Sequence, residues 1–413
     1  MGEHLININT ERLLKNIYAL GQIGRDKDDQ LVRLAASEAD RMGRDTVVKW
    51  FREAGLEVAI DRVGNIFGIW NERAIHTDKD PLIIGSHIDT VINAGIYDGC
   101  YGVLAGLEVI RTLQESDFTP KRPIVVAAFT NEEGVRYAPD MMGSLVYVGG
   151  MKVADALETV GIDGTVFGEE LENIGYAGEK EPGFLRPHAY VELHIEQGPV
   201  LERTGDTIGA VENLQGISWQ KIVVEGTANH AGTTPMDMRQ DAGQIATRII
   251  AFLYDYVMKN SSTVATVGSI EFAPNIINVI PARATFTVDL RDPDEEILQD
   301  TEAALSQFLK NIAKKENVDI DTEQLARFKP VEFSQNIVRK IESAAFARDL
   351  KYRRMTSGAG HDAQMMARIC PTAMIFVPSK DGISHNPAEY TTEKDLAAGA
   401  NVLLDVVKQI SQE

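Results

Sequence analysis

The stretch PLIIGSHIDTVINAGIYDG, residues 81–99, decides how the chain is read. An apolar run that stops in polar, glycine-broken sequence reads as a buried strand, Pro81–Ser86, with a histidine and two aspartates at its carboxyl end. Gly102–Leu113 then carries helical periodicity, and PIVVAAFT (123–130) is a second apolar strand that runs into NEEG (131–134). Strand, helix and strand in this order make a βαβ unit and a mainly parallel sheet. Ligands of open α/β sheets gather outside the carboxyl ends of the strands. Both polar clusters, at His87 and at Glu132, fall at that end.

Working outward, Asn9 or Thr10 would cap a helix to about Ile23, and a second helix spans about Ser37 to Ala54. EVAIDRVGNIFGIW (57–70) reads as paired strands. From about Val211 the pattern changes. Trp219–Gly226 alternates like a strand, Asp241–Lys259 is helical, Thr263–Phe272 and Ala282–Leu290 are strands, and Asp294–Glu316 is a long helix. This order suggests a ferredoxin-like α+β unit. After about Lys329 a helix, the strand Thr372–Val377 and a helix from Thr392 restore the first pattern. The expected fold is α/β: a mainly parallel-sheet domain of residues 1–212 and 329–413, with an inserted ferredoxin-like domain of residues 213–328. There is no internal repeat and no low-complexity segment.

With 413 residues, the chain can bury two cores. A formal net charge of -20 argues against nucleic acid and anionic membranes as partners, because their phosphates would be repelled. No apolar run is long enough to span a bilayer, and no signal peptide is expected. The two cysteines, Cys100 and Cys370, suit a reducing cytoplasm better than a disulfide scaffold.

Four segments carry the chemistry: His87 and Asp89 with Asp98, NEEG (131–134), HIEQG (194–198) and SHNP (384–387). Each follows an apolar strand-like run. Singly, each reads as well as a turn or a solvated edge. Together, at strand ends of one α/β unit, they read as a metal centre, since imidazole and carboxylate are the ligands of zinc and its neighbours. Two metals a few ångströms apart need a bridging carboxylate, which Asp98 in the YDG turn can supply.

The set GSHIDTV…YDG, NEEG, HIEQGPVLE, NHAGTTPM, SGAGHDAQ and GISHNPAE resembles the metal-dependent amidohydrolases of the M20 peptidase clan. More narrowly, it resembles the branch of N-carbamoyl-L-amino-acid hydrolases and allantoate amidohydrolases. The resemblance covers about residues 60–390. It implies two divalent metal ions per subunit, zinc first, with manganese, cobalt or nickel able to substitute. Their ligands would be His87, Asp98 as the bridge, Glu133 in the His87 site or beside it, His194 and His385. Glu132 would be the general base, and Asp89 would hydrogen-bond the second ring nitrogen of His87.

In the inserted unit, the resemblance makes His230 the group that stabilises the oxyanion, often in a partner subunit's site. Asn278 and Arg291 would hold the substrate carboxylate. For Arg291, a strand-end salt bridge with Asp289 or Asp292 is the competing reading. Gln197 and Gly360 would complete the pocket, and His361 reads as a loop-stabilising residue outside the catalytic set. His4, His76 and His188 read as surface residues. The implied partners are a small ureido acid and, through the inserted lid or dimerisation unit, a second copy of the chain. Apolar Ile217, where allantoate enzymes carry a polar residue, favours an N-carbamoyl-L-amino acid over allantoate, with β-ureidopropionate as a third candidate. Other readings are an aminoacylase or dipeptidase, against which His194 speaks, and a silent binding protein, against which the joint survival of ligands and base speaks.

Overall fold

The structure is a computed structural model that describes residues 5–70, 78–116, 118–260 and 262–413. His4 and His76 lie outside the described residues. The chain forms two compact units, Met1–Glu212 with Glu332–Glu413, and Asn213–Val331.

In chain order the strands begin with β1 (Glu57–Ile60), β2 (Ile66–Trp70), β3 (Leu82–His87), β4 (Ile124–Phe129), β5 (Ala189–Ile195) and β6 (Ile208–Leu214). The second unit holds β7 (Gly216–Glu225), β8 (Val264–Thr266), β9 (Ile270–Ala273), β10 (Arg283–Asp292) and β11 (Asp319–Phe328). The chain then returns through β12 (Val331–Glu332), β13 (Tyr352–Ser357) and β14 (Thr372–Val377).

The first sheet runs β1-β2-β4-β3-β5-β14-β6-β12, with β13 also paired to β6. Its centre, β4-β3-β5-β14, is parallel, and β2 and β6 flank it antiparallel. β3, β4, β5 and β14 are buried along their whole length, as strands covered by helices on both faces must be. The helix Cys100–Glu115 leaves the loop after β3 and is almost wholly buried. The helix Glu393–Ser411 is capped by the Thr392 hydroxyl on the Asp395 N–H and buries Leu396, Val402, Leu403, Val406, Val407 and Ile410. Each such side chain contributes about 1.5–3 kcal/mol of gross burial energy. This packing fixes the carboxyl ends of the parallel strands at one edge of a rigid layer.

The second unit is a five-stranded antiparallel sheet among the described residues, in the order β11-β7-β10-β8, with β9 also on β10. Its helices, Ala242–Asn260 and Glu295–Glu316, close a core of Ile222, Val224, Ile249, Phe286, Leu290 and Leu305. Strand–helix–strands–strand–helix–strand is the expected ferredoxin-like order. One expectation is corrected: Thr263–Phe272 is not a single strand. It leaves the ladder around Gly268, where the Thr287 hydroxyl takes the Ser269 N–H at 3.1 Å, and it resumes as β9.

Candidate metal centre

Loops at the carboxyl ends of β3, β4, β5 and β14 build one cluster in the first unit, and Asp98 is its centre. Asp98 Oδ1 lies 3.1 Å from His194 Nε2 and 3.7 Å from His87 Nε2. Its other oxygen, Oδ2, lies 3.2 Å from His385 Nε2, which is 3.5 Å from Glu133 Oε2. The donors therefore form two groups, His87–Asp98–His194 and Asp98–Glu133–His385, with the atoms of each group within 4.8 Å of one another. Glu133, expected in the His87 group or beside it, lies beside it with His385.

The rings are aimed by backbone. His87 Nδ1 is 3.0 Å from the Asp89 carbonyl, and His194 Nδ1 is 2.8 Å from the Ile195 carbonyl. A proton on each Nδ1 leaves the lone pair on Nε2, the nitrogen nearer Asp98, and in His194 that nitrogen also accepts the Gly99 N–H at 3.1 Å. The bond expected from Asp89 to the second ring nitrogen of His87 is thus made by its backbone carbonyl, with its carboxylate 3.9 Å from the same nitrogen. The Asp89 carboxylate also accepts the N–H groups of Glu132 and Glu133, both at 3.3 Å, and so fixes the turn that carries both glutamates. Asn131, left-handed at φ 56°, shapes the same turn through its amide, which donates to the Tyr137 carbonyl at 2.7 Å. Gly99, at φ 61°, has to be glycine because a Cβ there would fall on the His87 ring. Buried Arg33 ties the two aspartate segments together, donating to the Ile88 carbonyl at 2.7 Å and to Cys100 Sγ at 3.1 Å. Burial pushes the Cys100 thiol up, away from a nucleophilic thiolate.

Burial opposes ionisation of Asp98, yet His194, His385 and His87 together hold its carboxyl well below the usual range. Burial and the Asp98 charge push Glu133 up to about 8, and Asp98 pushes His385 up to about 9. Burial raises Glu132 well above the usual carboxylate range, against the pull of His87, whose Nε2 is 3.4 Å from Glu132 Oε2. Burial and mutual repulsion thus press the crowded carboxyls toward their protonated forms, a pressure that a bound cation relieves. Glu133 Oε1 is buried without a hydrogen-bond partner. Oxygen and imidazole donors, crowded carboxyls and an orphaned carboxylate oxygen all fit divalent cations.

Gln197, at φ 58°, donates its amide to Asp98 Oδ2 at 2.8 Å. Gly360 sits against Met141 and Gln364. His361 is more than a loop residue: it is buried, and its ring centroid is 4.5 Å from that of His194. Two further carboxylates escaped the sequence reading. Glu192 lies two residues before His194, on the same face of β5, and accepts the Ser86 hydroxyl at 2.6 Å. Glu389 is buried beside Asp98. A charge inside a mostly apolar strand was the available signal for Glu192.

The inserted unit places its three residues in two locations. His230 bridges to Val279, and the Ala231 N–H donates to the Asn278 carbonyl at 3.0 Å, so His230 and Asn278 are neighbours. They lie beyond the end of β10 that begins at Arg283. Arg291 is at the other end of β10, roughly 27 Å away at about 3.4 Å per strand residue. Its Nε and one terminal nitrogen grip Asp289 at 2.9–3.1 Å, so the strand-end salt bridge is present. His188 is a surface residue, 3.5 Å from Glu413.

The pattern of peptidase family M20/M25/M40 matches residues 83–409, which include all five candidate ligands. The chain is similar to an N-carbamoyl-L-amino acid amidohydrolase of Geobacillus stearothermophilus, 39% identical over 98% of this chain and 99% of the relative. It is 35% identical to the allantoate amidohydrolase of Escherichia coli, over 95% of this chain and 96% of that one. A solved hydantoinase/carbamoylase family amidase of Burkholderia multivorans superposes with a TM-score of 0.94 at 41% identity, covering 99% of both chains. A match over most of the chain and a likeness running nearly end to end identify the protein as a member of peptidase family M20/M25/M40.

Proposed function

We propose that the protein hydrolyses the carbamoyl C–N bond of an N-carbamoyl-L-amino acid, releasing the L-amino acid, carbon dioxide and ammonia. The observation that carries this reading is Asp98, whose two oxygens face separate donor groups beside the unliganded carboxyl of Glu132. His87 and His194 would hold one cation, Glu133 and His385 the other, and Asp98 both. Zinc suits this donor set best, and manganese, cobalt or nickel can replace it. Bound there, the cations polarise a carbonyl and acidify water.

Glu132 takes a proton from the attacking water and returns it to the leaving nitrogen, and the carbamate left behind loses carbon dioxide. His230 Nδ1 accepts the N–H groups of Gly232 and Thr233 at 3.0 and 3.2 Å, which puts the ring proton on Nε2. That N–H is a donor for the carbonyl oxygen as it gains charge. Arg291 takes the substrate carboxylate. Ile217 is its cross-strand partner on β7, so an apolar contact stands beside the carboxylate site, as an amino-acid side chain requires.

His230 with Asn278 lies past one end of β10 and Arg291 near the other, and the roughly 27 Å of strand from Arg283 to Arg291 is too long for both to grip one small substrate. The second reading that follows is a homodimer in which Arg291 serves its own subunit and His230 with Asn278 serves the partner. Mixing inactive His230→Ala and Glu132→Gln subunits then restores about a quarter of wild-type turnover, since half the dimers are mixed and each holds one intact site. No recovery on mixing means that His230 acts in its own subunit. Two free cysteines among the described residues favour a cytoplasmic setting, and no helix among them is long and apolar enough to cross a membrane.

Ammonia release by the metal-loaded protein from N-carbamoyl-L-methionine, allantoate and β-ureidopropionate tests the substrate. Turnover of the carbamoyl amino acid is expected to exceed that of the other two by tenfold or more, about 1.4 kcal/mol. Preference for allantoate would keep the chemistry and overturn the assignment of Ile217.

A further inference from the structure

We propose that Glu389 is a positioning residue for the metal centre, a clamp that holds the Asp98 and His385 segments in one register. This rests on the two-cation reading above but assigns a residue outside its ligands, base and substrate contacts.

Glu389 lies four residues after His385 in a loop, where a carboxylate would ordinarily face water. It is instead 5% exposed. Burying a carboxylate costs several kcal/mol unless its oxygens are hydrogen-bonded. Its partners all belong to the segments that carry metal ligands. Oε1 accepts the Tyr97 N–H at 3.0 Å and the Asp98 N–H at 3.2 Å. Oε2 accepts the hydroxyl of Ser384, the residue before His385, at 2.8 Å. One side chain therefore fastens the backbone of the shared ligand to the segment that presents His385, 287 residues further along the chain. The fit leaves no slack, because a Cβ on Gly95 would collide with the Glu389 carboxylate.

The arrangement answers a specific need. Asp98 has to present each oxygen to a different donor group, so a small rotation about its backbone takes one oxygen out of reach of its group. His385 is the most exposed of the five donors, with its side chain 52% accessible, and its backbone is in the left-handed region at φ 52°. A non-glycine residue in that region is strained and stays there only when its surroundings hold it. The Glu389–Ser384 bond supplies that hold from one side, and Glu389 on the Tyr97 and Asp98 N–H groups anchors the other end.

The division of labour between the two oxygens allows a test. Glutamine at 389 keeps an oxygen for the two N–H groups and an amide for the Ser384 oxygen, so it preserves the clamp without the charge. Alanine removes the clamp. Metal-free wild type, Glu389→Gln and Glu389→Ala are titrated with Co2+, following heat and the visible d–d absorption of the bound ion, and their metal-free melting temperatures are compared. Wild type binds two ions. Glu389→Gln binds two with affinity within about threefold of wild type, and Glu389→Ala loses about 10- to 100-fold in affinity for at least one, with an altered cobalt spectrum. If Glu389→Ala does not fold, Gly95→Ala, which displaces the same carboxylate, is expected to give the same loss.

Wild-type affinity and spectrum in the alanine variants overturn the clamp while leaving the two-cation reading intact. Equal losses in the glutamine and alanine variants also overturn it, because charge rather than hydrogen bonding would then be what Glu389 contributes. Failure of wild type to bind two ions overturns both.

Discussion

Glu132→Gln lowers kcat by about 100- to 10,000-fold, the range for loss of a general acid–base group, while the protein keeps its metal. The substitution preserves shape, and Glu132 belongs to neither donor group around Asp98. Its place in the site is set by its backbone, which donates to Asp89 and accepts from the Met141 N–H at 2.7 Å, so an amide side chain occupies the same space. What the amide lacks is a basic oxygen. Ammonia-release kinetics with metal content measured on the same preparation separate the two effects. A normal rate in this variant would falsify the assignment of the base, and loss of metal would make Glu132 a ligand instead.

Asp98→Asn removes the one group that both halves of the centre share. An asparagine offers one oxygen and an NH2, so one donor group keeps an oxygen and the other meets a donor. Bound metal falls from two ions to at most one, and turnover falls at least ~1,000-fold, about 4 kcal/mol of transition-state stabilisation. Burial pushes Glu133 and Glu389 upward and the Asp98 charge adds to it, so a neutral side chain relieves part of that pressure. The same charge is held well below the usual range by His194, His385 and His87, and those pairings are lost with it. Metal-free Asp98→Asn is therefore expected to melt below metal-free wild type near neutral pH, and the stabilisation that wild type gains from metal shrinks. A variant that still binds two ions and turns over normally would remove Asp98 from the bridge.

Much of the first unit is legible in its sequence because its central strands are short and mostly apolar, and the helices Thr10–Leu20, Glu38–Glu53 and Glu393–Ser411 are periodic and capped by Asn9, Ser37 and Thr392. That His87, Asp98, Glu133, His194 and His385 would meet is legible for the same reason, since polar residues at the ends of parallel strands share one edge of the sheet. What the chain does not announce is which atom of a residue acts. Asp89 uses its carbonyl for His87 and its carboxylate for the Glu132–Glu133 turn, a choice set by loop geometry. Glu133 sides with His385 because of how that turn is aimed. Glu389 is hidden because a glutamate in an SHNPAE loop looks like surface, and only the approach of Gly95 and the Tyr97–Asp98 backbone makes it interior. In the inserted unit the motifs at His230 and Arg291 are visible singly, but their separation along β10 emerges only from strand register.

The most direct test of the two-cation centre is to strip the protein with a chelator and follow ammonia release from N-carbamoyl-L-methionine as Zn2+ or Mn2+ is returned in measured equivalents. The stripped protein is expected to show negligible turnover, with a rise that reaches its plateau at two ions per chain, the capacity of the His87–Asp98–His194 and Asp98–Glu133–His385 groups. Full turnover in the stripped protein, or a plateau at one ion, would overturn the two-cation centre.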